Sequence, residues 1–169
     1  ILENCVDFSK LGNHEANELR AETKKAVISE QDRILYLELE LNFVLPVESI
    51  DKFKRSLTGR LKGIEDVKLD ISYRDLAQTL DEYMPMYIQH MIGIVNGKFA
   101  HVTKTIYADD FILYDSKLTI YALGEVSVEI LNKEVAFRFR ELLLRDLNLD
   151  VDVVFENKRD AYKEVGKHM

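Results

Sequence analysis

The sequence has little of what stabilises small secreted proteins or marks membrane proteins. Its 169 residues include a single cysteine, Cys5, which excludes an internal disulfide and fits a reducing compartment such as the cytoplasm. No apolar run approaches the roughly 18 residues that a membrane-spanning helix needs, and no signal peptide is visible. Glycine and proline are also sparse, with seven and two residues, so the composition leaves little room for disorder.

Positive charge is also in short supply. The 30 acidic residues outnumber the 23 basic ones, the net charge is -7, and both halves of the chain are acidic. This balance disfavours nucleic-acid binding as the main role of either half, although a local basic patch would be compatible with it. Hydrophobic residues make up 47% of the chain, which is long enough for one domain or two small ones. Because the chain begins with Ile1, we expect it to be a segment of a longer protein.

A strand–helix–strand pattern organises residues 117–156. Leu118, Ile120 and Ala122 alternate with polar or smaller residues, which predicts a strand with one buried face. Apolar residues at helical spacing follow from residue 128 to 143, and Asn148 is the predicted C-terminal cap because asparagine tolerates left-handed backbone. Alternation then returns over residues 149–155. One helix packed on one sheet would bury these apolar faces together.

The same pattern occurs earlier in the chain. Residues 35–41 alternate as a strand, Pro46 opens a helix with an apolar stripe, and residues 67–71 alternate again. Residues 23–29 add a further strand, so the sequence predicts an α+β fold made of two small β-β-α-β units. The predicted division is a first domain over residues 1–73, a second over 74–157 and a charged tail or linker over 158–169.

The remaining segments are less periodic. Residues 13–20 favour a short polar helix with Asn13 as its N-cap, and residues 73–95 have helical spacing. Pro85 lies inside that run and either kinks a single helix or starts a second one, and the second alternative is favoured. We expect another short helix over residues 99–106, a strand over 111–114 and a tight turn at 115–116.

The string Tyr107-Ala108-Asp109-Asp110 resembles the Tyr-x-Asp-Asp hairpin of reverse transcriptases, where paired carboxylates hold catalytic metal ions. No partner carboxylate motif precedes it, and the chain is short for a polymerase palm with fingers. The alternative interpretation is a polar turn before a strand. The four histidines are widely spaced and no nucleophile motif is present, so we expect no catalytic residue, no metal site and no cofactor.

Two groups of cations are candidates for phosphate contacts, although a solvated mixed-charge face is the default interpretation. A Met- and Tyr-rich stretch over residues 83–87 has similarly two interpretations, an adaptable protein-binding surface or core packing. The candidate nucleic-acid-binding residues are Lys52, Arg55, Arg60 and Lys62 in the first domain, and Lys133, Arg138, Arg140 and Arg145 in the second.

Three stretches, read in order, carry a family resemblance. They are TKKAVISEQDRILYLELEL at residues 23–41, LPVESIDKFKRSLTGRLKGIEDVKLDISY at 45–73, and residues 117–156 with their VAFRFR string. Together the chain resembles the N-terminal region of PolC-type DNA polymerase III, the replicative polymerase of Gram-positive bacteria. That region has two small domains before the oligonucleotide-binding, polymerase and exonuclease modules.

The resemblance implies a non-catalytic segment of a DNA-directed DNA polymerase with 3′–5′ exonuclease activity. It implies that the first domain docks on the tau subunit of the clamp loader. It also implies that the second domain, with its preceding helices, has a KH-like fold of type II that touches single-stranded DNA. The chain departs from KH domains that bind RNA in lacking a Gly-x-x-Gly loop, because residues 123–126 read Leu-Gly-Glu-Val, and a carboxylate there repels phosphate.

Overall fold

The computed structural model describes residues 1–159, and its contacts divide the chain into two units, Ile1–Tyr87 and a second unit that begins at Ile88. Each unit contains one three-stranded sheet and helices, so the predicted α+β fold with two β-β-α-β units is confirmed. The contact-based division falls later than residue 73 because a single helix, α2 (Leu80–Val95), contributes its first turns to the first unit. Its residue Tyr87 is buried there, with its ring edge-on to Tyr73.

The first unit has a mixed sheet with strand order β1-β2-β3. The first two strands pair antiparallel, whereas the second and third pair parallel, which requires the crossover helix between them. Its elements are β1 (Ala21–Ser29), β2 (Ile34–Leu41), α1 (Val47–Arg60) and β3 (Asp66–Tyr73).

The first core lies on one side of this sheet. The leucines of β2 are all buried and alternate with outward-facing residues, as predicted, and Pro46 stands at the N-cap of α1. Ile50 and Phe53 of α1 pack into the core together with Phe43, which is fully buried. Short 3-10 turns at Leu2–Cys5, Phe8–Lys10 and Ala16–Glu18 precede the sheet, and the first of them buries Leu2 and Cys5.

The second unit repeats the same strand arrangement, with order β4-β5-β6, antiparallel then parallel pairing, and helical crossover. A π-helical turn at Leu131–Val135 joins the two helices of the crossover. Its elements after α2 are a 3-10 turn at Gly97–Phe99, α3 (Ala100–Thr103), β4 (Ile106–Tyr114), β5 (Lys117–Ala122), α4 (Glu125–Ile130), α5 (Ala136–Leu147) and β6 (Asp152–Asn157).

The second core contains one aromatic pair between helix and sheet. The rings of Phe139 on α5 and Phe155 on β6 meet edge to face with centroids 5.5 Å apart, and both are buried. Asn148 adopts the left-handed conformation (φ 51°) and its N–H donates to the carbonyl of Leu144. The predicted C-cap is therefore confirmed. Asp115 and Ser116 both have positive φ, as a two-residue hairpin turn requires.

Two predicted helix boundaries are wrong. Residues 13–20 contain only the 3-10 turn Ala16–Glu18, and Asn13 caps nothing. The side chain of Asn42 binds the carbonyl of Glu18 and the N–H of Arg20, which holds this segment outside a helix. Pro85 lies inside the single helix α2, because the buried stripe around it stabilises one continuous helix despite the hydrogen bond that proline removes.

The segment 107–110 was predicted as a polar turn in one interpretation, and this is also wrong, because β4 begins at Ile106 and includes it. The pairing of β4 with β5 is irregular between Ile106 and Phe111, which conceals the period-2 alternation in the sequence. Beyond Arg159, the predicted charged tail lies outside the described residues. Over residues 1–159, every helix is too short or too polar to cross a membrane.

Candidate functional site

The paired aspartates Asp109 and Asp110 do not form a cluster of carboxylates. The ammonium of Lys158 lies 3.0 Å from Oδ2 of Asp110 and 4.1 Å from the centroid of the Tyr107 ring. Within residues 1–159, no group of three His, Cys, Asp or Glu side chains is arranged to hold a metal ion. The reverse-transcriptase hypothesis needs further converging carboxylates and gains no support from this geometry.

The basic residues of the first unit are exposed at the second half of α1 and just beyond it. Lys52 and Arg55 lie one turn apart on the helix face opposite the buried Phe53, whereas Arg60 ends the helix and Lys62 follows it. Among the residues that the structure describes, none of these four cations forms an ion pair. They are therefore available to an anionic partner.

The basic residues of the second unit are mostly neutralised by nearby carboxylates. The guanidinium of Arg138 lies 3.1 Å from Oε2 of Glu141, and that of Arg140 lies 2.9 Å from Oδ1 of Asp152. Lys133 is exposed on the π-helical turn. Arg145 is also paired, with its Nε 2.8 Å from Oδ1 of Asp146. Three of the four predicted phosphate contacts would thus have to break an existing ion pair before they bind phosphate.

The turn from β5 into α4 combines a glycine at positive φ with a carboxylate. Gly124 has φ 104°, a backbone conformation that favours glycine, and its N–H donates to the side-chain oxygen of Asn157 at 3.4 Å. Glu125 is the first residue of α4, where its carboxylate interacts favourably with the helix dipole. The same carboxylate opposes an incoming phosphate, and α4 is only six residues long.

One histidine of the first unit bridges two carboxylates, and this cluster was missed in the sequence. Nδ1 of His14 lies 2.8 Å from Oε2 of Glu18, and Nε2 lies 2.8 Å from Oε2 of Glu82. The hydrogen bond to Glu18 is the largest cause of the raised pKa of His14; burial opposes it, and the hydrogen bond to Glu82 adds to the rise. The hydrogen bond from His14 is the main cause of the lowered pKa of Glu18.

The position of Glu82 follows from a helix-capping signal in the sequence. Thr79-Leu80-Asp81-Glu82 has the spacing of a capping box, and the N–H of Thr79 donates to Oε1 of Glu82 at 2.9 Å. That backbone hydrogen bond is the largest cause of the lowered pKa of Glu82. Recognising the box would have placed a carboxylate at the start of α2, but not its contact with His14.

The outer face of the sheet is an uncovered surface of the first unit. Strand β1 is exposed along almost its whole length, and no helix of the first unit covers the side of the sheet opposite α1. Tyr36 and Val27 are paired across β1 and β2 on this face and are 42% and 45% exposed. Glu38 and Asp70 are paired across β2 and β3 beside them. None of these four residues was a sequence-based candidate.

The second unit also exposes apolar side chains, on its helices and its sheet. Phe137 on α5 is 59% exposed and Val126 on α4 is 72% exposed, and Ile112 and Tyr114 are exposed on β4. By contrast, the Met- and Tyr-rich stretch around Met84 is buried, so core packing was the correct interpretation for that residue and for Tyr87.

The fold and these surfaces define an α+β protein of two β-β-α-β units with exposed apolar and charged faces. Comparisons with protein-family models, with curated proteins and with solved structures returned no match. The assignment of a function therefore depends on the chain's own residues and their arrangement.

Proposed function

We propose that this chain is the non-catalytic N-terminal adaptor region of a replicative DNA polymerase and tethers the polymerase to the tau subunit of the clamp loader. The observation that carries the proposal is the uncovered outer face of the first sheet, where Tyr36 and Val27 are exposed side by side. Exposed neighbouring apolar side chains with a charged surround are typical of protein-binding surfaces.

The topology of both units supports the resemblance on which the proposal is based. The second unit has the order β4-β5-α4-α5-β6 with α2 and α3 before it, which agrees with the expected KH-like arrangement with preceding helices. The polymerase and exonuclease activities would belong to other segments of the parent chain, and the protein would act in the cytoplasm.

The proposal is tested by titrating the 169-residue chain with the purified C-terminal domain of tau in a calorimeter. We expect a saturable one-to-one complex with a dissociation constant of about 1 μM or tighter, as is typical of a stable interface of standard size. An unrelated acidic protein of similar size serves as the control titrant. If no heat of binding is measured, and the two proteins do not co-elute at tens of micromolar, the proposed tethering role is refuted.

A second candidate function, binding of single-stranded DNA, is favoured by one observation. Lys52, Arg55, Arg60 and Lys62 are exposed and, within residues 1–159, form no ion pair. If these cations contact phosphates, binding of a fluorescent oligonucleotide will weaken steeply as salt is raised. The double variant Lys52→Ala/Arg55→Ala should then reduce the salt dependence, whereas Arg138→Ala, which removes an already paired cation, should change it less. Affinity that is absent at low salt, or insensitive to salt, would exclude this function.

A further inference from the structure

Helix α5 exposes two large apolar side chains on the face opposite its buried one. Phe139, Leu142 and Leu143 are fully buried, whereas Phe137 is 59% exposed and Leu144 is 47% exposed. Phe137 and Leu144 are seven residues apart, which is two helical turns, so they lie on the same line of the helix about 10 Å apart. The solvent face of such a helix usually carries polar residues, so this pair marks a surface that a partner can cover.

The charges around this apolar pair are neutralised within the chain. Each of the three arginines of α5 forms an ion pair with a carboxylate of the same chain. The guanidinium of Arg138 lies 3.1 Å from Oε2 of Glu141, and that of Arg140 lies 2.9 Å from Oδ1 of Asp152. The face therefore has no strong charge of either sign, and it offers little attraction to a phosphate backbone or to a highly charged peptide.

The order of residues along this face is self-complementary in the antiparallel direction. Phe137, Arg140, Glu141 and Leu144 occupy positions i, i+3, i+4 and i+7, which lie on one side of a helix. When two copies of α5 run side by side in opposite directions, with the two-fold axis between residues 140 and 141, each Phe137 meets Leu144 of the other copy. The same arrangement brings each Arg140 next to Glu141 of the other copy, so all four contacts join compatible side chains.

We propose that the outer face of α5 binds a second copy of this chain through antiparallel pairing of the two helices. A parallel two-fold pair would instead place Arg140 against Arg140 and Glu141 against Glu141, and like charges facing each other across an interface are unfavourable. The proposal concerns the second unit alone. It goes beyond the proposed adaptor function and does not depend on it.

The expected association is weak, because one helix from each copy supplies a small contact. Interfaces that bury less than about 1,200 Å² in total are typical of transient complexes, so we expect a dissociation constant on the order of 100 μM. Self-association is therefore measured by sedimentation equilibrium of the 169-residue chain from well below to well above that concentration. The average mass should rise from that of one chain towards that of two.

The apolar contact is tested with two matched aromatic substitutions. Phe137→Ala removes the proposed contact, and Tyr114→Ala, on β4, removes an aromatic side chain that is 79% exposed. Because each interface contains Phe137 twice, we expect Phe137→Ala to weaken self-association about tenfold or more. Tyr114→Ala should stay within about twofold of wild type. Self-association that Phe137→Ala leaves unchanged, or that Tyr114→Ala weakens equally, refutes the proposed surface.

The antiparallel register is tested by mixing two charge variants. Arg140→Glu alone brings carboxylates together across the two-fold axis, and Glu141→Arg alone brings guanidinium groups together. Each variant by itself should therefore associate about tenfold more weakly than wild type. In an equimolar mixture of the two variants, every contact between positions 140 and 141 again joins opposite charges. We expect the mixture to recover a dissociation constant within about threefold of that of wild type.

Recovery on mixing separates a contact between copies from a change within one chain. A variant that only perturbs its own α5 stays perturbed in the mixture, and the unfolding temperature of each variant shows whether its fold is intact. A mixture that stays monomeric, while both variants remain folded, refutes the antiparallel arrangement. A wild-type chain that stays monomeric at several times the expected dissociation constant refutes a second copy as the occupant of this face.

Discussion

The imidazole Nε2 of His14 lies 2.8 Å from the Oε2 carboxylate oxygen of Glu82, a residue 68 positions later in the chain. The same carboxylate group accepts the N–H of Thr79 through its other oxygen and so caps the start of α2. The ring of His14 also packs edge-on against the buried Phe43, with centroids 5.2 Å apart. One glutamate therefore joins the segment before β1 to the first turn of α2 within the first unit.

This cluster predicts a pH dependence of stability. The raised pKa of His14 means that its contribution is complete below the ordinary value of 6.5 and is lost as pH rises through the raised pKa. The lowered pKa values of Glu18 and Glu82 mean that their contributions are present above 4.5 and are lost as pH falls through the lowered values. The cluster should therefore stabilise the first unit most between these two ordinary values.

The prediction is checked with His14→Ala by urea unfolding at several pH values. We expect the variant to lose about 1 kcal/mol near pH 5.5 and less near pH 8.5, a small effect because the cluster is partly solvated. His101→Ala, which removes an exposed histidine of the second unit, is the control for the general effect of removing a histidine. An equal loss for His14→Ala at both pH values would indicate that only packing against Phe43 matters.

Gln78 is predicted to be essential to the first unit because its side chain satisfies both backbone hydrogen-bonding groups of a buried residue. Its Oε1 accepts the N–H of Val44 at 2.7 Å and its Nε2 donates to the Val44 carbonyl at 3.0 Å, and both residues are buried. Gln78→Met keeps the volume but leaves both backbone groups unpaired, so we expect a loss of about 2–4 kcal/mol in chemical unfolding. Gln89→Met, at an exposed position of α2, should change stability by less than about 0.5 kcal/mol.

Asn132 has a comparable role at the edge of the second sheet. Its Oδ1 accepts the N–H of Phe155 at 2.7 Å and its Nδ2 donates to the Phe155 carbonyl at 2.9 Å. The side chain therefore makes the two backbone hydrogen bonds that a neighbouring strand would make at this edge of β6. We expect Asn132→Ala to cost about 1–2 kcal/mol and to speed hydrogen exchange at the Phe155 amide. Lys133→Ala is the neighbouring control. Unchanged exchange at Phe155 in Asn132→Ala would contradict the contact.

Two phenylalanines on α5 should respond very differently to the same substitution. Phe139 is fully buried against Phe155, whereas Phe137 is 59% exposed on the same helix. Phe139→Ala should destabilise the second unit by about 3–5 kcal/mol, because it removes buried area and leaves a cavity. Phe137→Ala should cost less than about 1 kcal/mol in denaturant unfolding. Similar losses for both would mean that α5 packs through a different face.

The elements with strong periodicity were predictable, because the alternation that marks them is also what buries them. The leucines of β2 and the apolar stripe of α1 each specify one buried face, and Asn148 specified the left-handed end of α5. Prediction failed where a distant residue decided the local structure. Asn42 holds residues 18–20 out of a helix, and packing on both sides of Pro85 keeps α2 continuous.

The candidate sites were predictable only in part for the same reason. The positions of Lys52, Arg55, Arg138 and Arg140 on helices follow from local spacing, but the ion pairs of Arg138 and Arg140 include a partner on β6 that no local pattern identifies. The surface around Tyr36 depends on strand register as well. Neither Glu38 nor Asp70 stands out in the sequence until β2 and β3 are paired.

By itself, the sequence determined that this is an α+β chain of two units, because hydrophobic periodicity and turn residues are local properties that act over a few residues. Only the tertiary structure decided which charges are neutralised, which sheet face stays uncovered, and which carboxylates meet His14. Those outcomes depend on pairs of residues brought together across tens of positions, where register and helix placement determine every distance.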